Sequence, residues 1–204
     1  MKLTLIRHTP TQYSEAGLFM GDMDIPATQE GLKKAQILGD LLKSVPFTYY
    51  VSSPLTRAFQ TAKAIFPCKF INIDYNLCER SLGSWAGNSK KEIRKLYPQA
   101  FLSSGFIDPY YTPDNGEAFD HVVQRVTAFI EGLLLFPKDS NVVAITHNGI
   151  IRITRCLLEK RPLQEVFFEG EPYLTPRSYT YSGLGNWEQY SIIEIDEIPD
   201  QLIN

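Results

Sequence analysis

Short, apolar, β-rich runs alternate along this chain with longer stretches in which apolar residues recur at helical spacing. The runs cover residues 2–6, 49–52, 69–73 and 141–146, and helical patterns with one apolar face cover 28–42, 55–65, 117–136 and 150–158. Strands that alternate with helices form a parallel or mostly parallel sheet covered by helices on both faces. The pattern therefore predicts an α/β fold of three layers, α/β/α.

The last part of the sequence departs from this alternation. The stretch RSYTYSGLGNWEQYSIIEI, residues 177–195, places two strand-like runs around a Gly-rich turn, with a run at 190–195. This predicts an antiparallel hairpin at one edge of the sheet. Residues 80–116, rich in Ser, Gly, Pro and Tyr, predict a lid or insertion with one short helix at 90–97. Because 204 residues suit one domain, we expect residues 1–204 to form a single domain.

Charge and cysteine content limit the classes of partner. The net charge of −3 gives no overall attraction for nucleic acid or for an anionic membrane, so a bound anion has to be held by a local cluster of cations. The apolar run 3–6 is too short for a secretory signal, and no run is long enough to span a membrane. Cys68, Cys78 and Cys156 have no paired spacing, so we expect reduced thiols and a cytoplasmic location. The sequence leaves open whether the chain forms a homodimer.

Charged and titratable residues follow the strands at the points where the strands end. The first run leads directly into Arg7 and His8, and the run in NVVAITHNGIIR, residues 141–152, leads into His147. The segment SSPLTRAFQTA after the second run supplies Arg57, and LCERSLGSW after the third supplies Glu79. Ligands of open α/β sheets collect beyond the carboxyl ends of the strands, so we expect these five side chains to meet in one crevice.

This set of residue types suits a phosphoryl group. The planar guanidinium groups of Arg7 and Arg57 can donate paired hydrogen bonds to phosphate oxygens. The cations beside His8 disfavour its protonation, which keeps a nitrogen lone pair available as a nucleophile for phosphorus. His147 can stabilise the charge of the transition state. Glu79 beside a bound phosphate dianion is expected to hold a proton, to give it to the departing alkoxide and later to activate water.

Three motifs together carry a resemblance to a known family. Arg7–His8–Thr9, SSPLTRAFQTA and ITHNGIIR resemble the histidine phosphatase superfamily, also called the phosphoglycerate mutase-like family, over nearly the whole chain. The resemblance implies the phosphoglycerate mutase-like fold, a phosphohistidine intermediate on His8, a phosphate pocket of Arg7, Arg57 and His147, and a proton donor at Glu79. It implies a hydrolase that acts on a small phosphorylated substrate with no metal and no cofactor.

Two further segments resemble one branch of that family. LCERSLGSWAG and the stretch from Asn115 to Leu134 are similar to α-ribazole phosphatases, which act on α-ribazole 5′-phosphate in the assembly of the cobalamin nucleotide loop. We expect additional contacts to the phosphate or the rest of the substrate from a second group of residues: Thr9, Thr11, Ser14, Gly21, Arg80 and Asn148. Ser52 and Ser53 are expected to cap the helix that carries Arg57.

Two other functions remain open at this point. A phosphoglycerate-type mutase has a similar sequence around the nucleophile but usually a longer insertion after the proton donor. In this chain the stretch from Glu79 to Gly116 is short, which favours a phosphatase. A phosphate-binding module without catalysis would have lost the nucleophile or the donor, whereas this chain has both.

Overall fold

The apolar run Asn141–Thr146 forms a strand inside a mixed sheet. The computed structural model describes residues 1–192, except for the side chain of Gln164. Within these residues the sheet has six strands, namely β1 (Lys2–Arg7), β2 (Tyr49–Ser52), β3 (Asn72–Ile73), β4 (Asn141–Thr146), β5 (Pro176–Gly183) and β6 (Asn186–Tyr190). Their order in the sheet is β3-β2-β4-β1-β5-β6. All six residues of β4 are buried, as expected for a continuous apolar run in the middle of a covered sheet.

The direction of the strands confirms the predicted mixed sheet. Strand β4 is parallel to β1 and β2, and β2 is parallel to β3. Strand β5 is antiparallel to both β1 and β6, so the predicted hairpin forms the antiparallel edge. The predicted third run is shorter in the structure, and residues 193–195 of the last predicted run lie outside the described residues.

Helices cover both faces of the sheet. They are α1 (Gln12–Glu15), α2 (Gln29–Leu42), α3 (Thr56–Ile65), α4 (Lys90–Leu96), α5 (Phe119–Leu133), α6 (Asn148–Glu159) and α7 (Leu163–Val166). Val142 and Ala144 of β4 pack against α5 and α6, whereas Val143 and Ile145 pack against α2 and α3. Successive side chains of a strand point to opposite faces, so one apolar run supplies two cores and the predicted three layers result.

Residues 80–116 share a small hydrophobic cluster with Phe19. It is formed by Phe19, Leu82, Trp85, Ile93 and Ala100. The ring of Trp85 lies parallel to that of Phe101, with 5.7 Å between their centroids. The predicted short helix is present as α4. The assignment of the segment as a lid, and of the chain as a single domain, stays a prediction.

Candidate active site

His8 directly follows β1 and is held by the neighbouring parallel strand. Its backbone N–H donates to the carbonyl of Thr146 at 2.9 Å, and its side chain is only 2% exposed. Its Nδ1 lies 2.6 Å from the carbonyl oxygen of Thr9. A carbonyl oxygen can only accept, so Nδ1 carries the proton and the lone pair of the ring is on Nε2. This hydrogen bond leaves Nε2 as the nucleophilic atom.

His147 follows β4 and faces His8. The two ring centroids are 5.0 Å apart, and His147 is fully buried at the first turn of α6. Its Nε2 lies 2.8 Å from Oγ of Ser53, which already accepts the backbone N–H of Leu55. A Ser53 hydroxyl that donates to Nε2 leaves the proton of the ring on Nδ1. Within the described residues that Nδ1 is buried and has no hydrogen-bond partner.

Both histidines are neutral at pH 7. Burial lowers the pKa of His8 well below its ordinary value, and the charges of Arg57 and Arg7 lower it further. Burial also lowers the pKa of His147 well below its ordinary value, and His8 and Arg57 lower it further. Desolvation and nearby positive charge both disfavour the imidazolium form. A lone pair on Nε2 of His8 is consequently present across the physiological pH range.

Arg57 is fully buried at the start of α3. Its guanidinium donates to the carbonyl of Met23 at 2.6 Å and to that of Gly21 at 2.8 Å. Its Nε has no hydrogen-bond partner, and within the described residues no carboxylate forms an ion pair with it. A buried cation with an unsatisfied N–H is a favourable place for an anion.

Arg7 is held from the other side by the segment that precedes β5. Its guanidinium lies over the ring of Tyr173, 3.6 Å from the centroid, and donates to the carbonyl of Glu171. Its Nε, like that of Arg57, is buried without a hydrogen-bond partner among residues 1–192. The ring of Tyr173 also contacts His8 edge-on at 5.8 Å. Arg7 and Arg57 thus hold two oriented guanidinium groups near the His8 ring.

Glu79 enters the site from the loop after β3. One carboxylate oxygen accepts the backbone N–H of Arg80 at 3.0 Å, and the other accepts that of Gly149 at 3.1 Å. A Cβ at position 149 would lie 2.5 Å from Oε1 of Glu79, so only glycine leaves room for this carboxylate. Backbone N–H groups at the first turn of a helix favour an anion, and in this structure the Glu79 carboxylate lies at the first turn of α6.

A cavity of about 240 Å³ connects these groups. Arg7, His8, Arg57 and Glu79 all line it, so four of the five predicted side chains converge on one cavity. His147, whose ring centroid is 5.0 Å from that of His8, is not among the residues that line the cavity. The catalytic and phosphate-binding roles of these five side chains remain predictions.

The predicted substrate contacts divide into two groups. Gly21, Arg80 and Asn148 line the cavity, whereas Thr9, Thr11 and Ser14 do not. The guanidinium of Arg80 donates to backbone carbonyls and a threonine hydroxyl, and Oδ1 of Asn148 accepts the N–H of Glu171. Substrate contact by any of the six stays untested.

The three hydroxyl side chains of this set form local hydrogen bonds instead. Thr11 and Ser14 bond to each other's backbone and form the capping box of α1. The hydroxyl of Thr9 lies 3.4 Å from the carbonyl of Pro10, and its backbone N–H donates to Thr61. Their geometry favours a role in shaping the loop after β1.

Three groups that support the site were not predicted in that role. The capping role expected of Ser52 and Ser53 is wrong, because Leu55 is the N-cap of α3 and makes no side-chain capping bond. Ser53 instead contacts His147. Glu171 and Tyr173 position Arg7, and their only signal in the sequence is closeness to the predicted hairpin. Contacts between residues 164 positions apart leave no periodic pattern in a single sequence.

Comparisons with known proteins assign the family of this chain. The model of the histidine phosphatase superfamily, branch 1, matches residues 3–170, and the chain belongs to this superfamily. It is a phosphatase, and hence a hydrolase, of that superfamily. Within the described residues no group of three or more potential ligands could hold a metal ion, and no helix could cross a membrane.

Individual relatives agree with this assignment. The chain is 28% identical to the adenosylcobalamin/alpha-ribazole phosphatase of Salmonella typhimurium, over 75% of this chain and 77% of the relative. It is 30% identical to phosphoglycerate mutase-like protein 4 of Arabidopsis thaliana, over 74% of this chain and 68% of the relative. Among solved structures it is similar to YhfR of Bacillus stearothermophilus, with a TM-score of 0.83 and 26% identity, covering 95% and 96% of the two chains. It is also similar to a mycobacterial glucosyl-3-phosphoglycerate phosphatase, with a TM-score of 0.82 and 25% identity. The match covers 93% of this chain and 96% of that one.

Proposed function

We propose that the chain hydrolyses a small phosphomonoester through a phosphohistidine on Nε2 of His8. The observation that carries this proposal is the hydrogen bond from Nδ1 of His8 to the carbonyl of Thr9, which fixes the free lone pair on Nε2. The unpartnered Nε atoms of Arg7 and Arg57 and the unpartnered Nδ1 of His147 supply donors for the oxygens of the phosphoryl group.

The first half of the reaction transfers the phosphoryl group to the enzyme. Nε2 of His8 forms a bond to phosphorus while the bond from phosphorus to the ester oxygen breaks. The electron pair of that bond goes to the ester oxygen, which takes a proton from Glu79 and leaves as an alcohol. Arg7, Arg57 and His147 stabilise the charge on the remaining oxygens.

The second half releases inorganic phosphate. A water molecule gives a proton to the Glu79 carboxylate, and its oxygen attacks phosphorus. The bond from phosphorus to nitrogen breaks, and its electron pair returns to Nε2 of His8. Glu79 thus regains in this step the proton that it gave to the alcohol in the first step. The chain's own guanidinium groups supply the positive charge in both steps, and neither step uses a metal or a cofactor.

The first substrate to test is α-ribazole 5′-phosphate. Relatives named adenosylcobalamin/alpha-ribazole phosphatase are 28% identical to this chain. Relatives with other names are about as similar: phosphoserine phosphatase 1 of Hydrogenobacter thermophilus is 27% identical, and fructose-2,6-bisphosphatase TIGAR of Xenopus tropicalis is 36% identical over a shorter stretch. Identity alone therefore does not rank these substrates.

A panel of phosphomonoesters ranked by kcat/KM tests the proposal. Release of inorganic phosphate is expected from at least one ester, together with loss of turnover in His8→Ala. Transfer between the 2- and 3-positions of phosphoglycerate without phosphate release would favour a mutase instead. Binding of phosphate without turnover of any ester would favour a binding module. A purified His8→Ala variant that retains full activity would refute the phosphohistidine mechanism.

A further inference from the structure

The residues just before Glu79 are held by an arginine from α5. Nη1 of Arg125 donates to the carbonyl of Asn76 at 2.7 Å and to that of Cys78 at 2.6 Å. One nitrogen atom thus ties two carbonyls that lie two residues apart. Cys78 directly precedes Glu79, so Arg125 fixes the peptide group from which the proposed proton donor extends.

The carbonyl between these two is held by the sheet. The carbonyl of Leu77 accepts from the hydroxyl of Thr146, the last residue of β4, at 2.8 Å. The side chain of Leu77 is also fully buried. Three successive carbonyls before Glu79 are therefore fixed, one by β4 and two by α5.

Glu117 fixes the guanidinium of Arg125 in turn. Its two carboxylate oxygens accept from Nε and Nη2 of Arg125 at 2.9 and 3.0 Å, which is a bidentate pair. The carbonyl of Glu117 accepts from Nε of Arg80 at 2.8 Å, and its backbone N–H donates to the carbonyl of Ser81 at 3.0 Å. The pair of Arg125 and Glu117 therefore contacts the chain on both sides of Glu79.

This pair acts on the site through geometry. The side chains of Arg125 and Glu117 are 17% and 22% exposed, and neither lines the cavity that holds His8. Because their charges are opposite and in contact, the two fields largely cancel at a distance. What the pair contributes to the reaction has to pass through the position of Glu79.

We propose that Arg125, held by Glu117, is a positioning residue for proton transfer by Glu79. This rests on the proposed function, in which Glu79 gives its proton to the departing alkoxide. Proton transfer requires the carboxyl oxygen within about 3 Å of the ester oxygen, so the loop has to be held in place. The guanidinium makes four hydrogen bonds from three nitrogen atoms. The single nitrogen of a lysine has only three donors and cannot reproduce them.

Two esters measured with one preparation of Arg125→Lys test the proposal. An alkyl phosphate needs the proton of Glu79, whereas p-nitrophenolate leaves readily without one. Because kcat/KM reports the steps up to release of the alcohol, it isolates this proton transfer. We expect kcat/KM to fall about 30-fold for the alkyl phosphate and less than about 3-fold for p-nitrophenyl phosphate. A smaller folded fraction alone would lower both values by the same factor.

Arg125→Ala with added guanidinium gives a second readout. Arg125, Glu117 and Glu79 line another cavity, of about 580 Å³, through which a small cation can reach the space left by the side chain. Guanidinium chloride at about 20 mM should raise kcat/KM of this variant about 5-fold for the alkyl phosphate, because guanidinium offers the same planar donors. The wild-type enzyme should show no gain, and sodium chloride at the same concentration should not replace guanidinium.

Arg161→Lys is the matched control. Arg161 also pairs with two carboxylates, those of Glu159 and Glu165, but it is 35% exposed and these partners lie outside the loop of Glu79. We expect kcat/KM for both esters to stay within about 2-fold of the wild-type values, since exposed ion pairs contribute little.

The outcomes separate this inference from the proposed function. Equal losses for the two esters in Arg125→Lys, or no gain from guanidinium in Arg125→Ala, overturn the positioning role and leave the phosphatase proposal standing. A selective loss in Arg125→Lys that Glu79→Gln does not share also overturns it, because Arg125 would then act through another group. Hydrolysis of no ester by the wild-type enzyme overturns the proposed function and the positioning role with it.

Discussion

Replacing Gly149 with alanine moves the proposed proton donor without removing it. The new Cβ would lie 2.5 Å from Oε1 of Glu79, closer than real Cβ atoms approach an oxygen. The contacting atom is the end of a flexible side chain, so the carboxylate has to retreat by about 1 Å to reach ordinary contact distance while the backbone stays in place. A misplacement of about 1 Å at a reacting group can cost about 100-fold in rate.

The size of the loss should depend on the leaving group. A poor leaving group such as an alkoxide needs the proton of Glu79, whereas p-nitrophenolate leaves readily without one. We expect Gly149→Ala to lower kcat about 100-fold for an alkyl phosphate and less than about 5-fold for p-nitrophenyl phosphate. Steady-state assays of both esters with the same preparation measure the two factors. Hydrolysis of both esters should still require His8.

Gly132→Ala is the control for this substitution. Gly132 also lies in a helix, and a Cβ there would meet nothing within 4 Å. Alanine at this position should leave both rates unchanged and raise stability by up to about 1 kcal/mol through helix propensity. Equal losses for the two esters in Gly149→Ala, or no loss for the alkyl phosphate, would refute the assignment of Glu79 as proton donor.

Two further predictions concern stability. Because the folded-state pKa values of His8 and His147 are lowered from 6.5, the unfolded chain takes up protons first as the pH falls. Stability should therefore decrease below about pH 6.5, and a urea midpoint that is the same at pH 7.5 and 5.5 would contradict this. Glu171 is 4% exposed and bonds Arg155 at 2.7 Å, so Glu171→Gln should cost about 3 kcal/mol in denaturant unfolding. The exposed Glu169, 61% accessible, gives the control Glu169→Gln, for which a loss below about 1 kcal/mol is expected.

The sheet could be predicted from sequence because its signal is local. The fully buried β4 shows as a continuous apolar run, and the Gly-rich turn at 183–185 marks the hairpin of β5 and β6. The third strand was predicted too long, since residues 69–71 have strand-like composition but only Asn72–Ile73 pair with β2. Pairing is decided by the neighbouring strand, which a single run of residues does not show.

The site could be predicted only where it follows the strand ends. Arg7, His8 and His147 each lie at or just past the end of a strand. Because the carboxyl ends of parallel strands meet at one edge of the sheet, these side chains could be predicted to lie together. Ser53 was assigned a capping role, because a serine before a helix is usually a cap. Glu171, the partner of Arg7, lies 164 positions away in the chain, and no periodic pattern in the sequence indicates that the two residues meet.

The site of phosphorylation is the most direct measurement of the mechanism. The enzyme would be mixed with a ³²P-labelled ester, quenched in alkali within one turnover, digested and mapped. We expect one acid-labile phosphoryl group on Nε2 of His8, absent from His8→Ala, because Nδ1 is engaged with the carbonyl of Thr9. The mechanism would be contradicted by a label on Nδ1, by a label on another residue, or by turnover with no labelled enzyme.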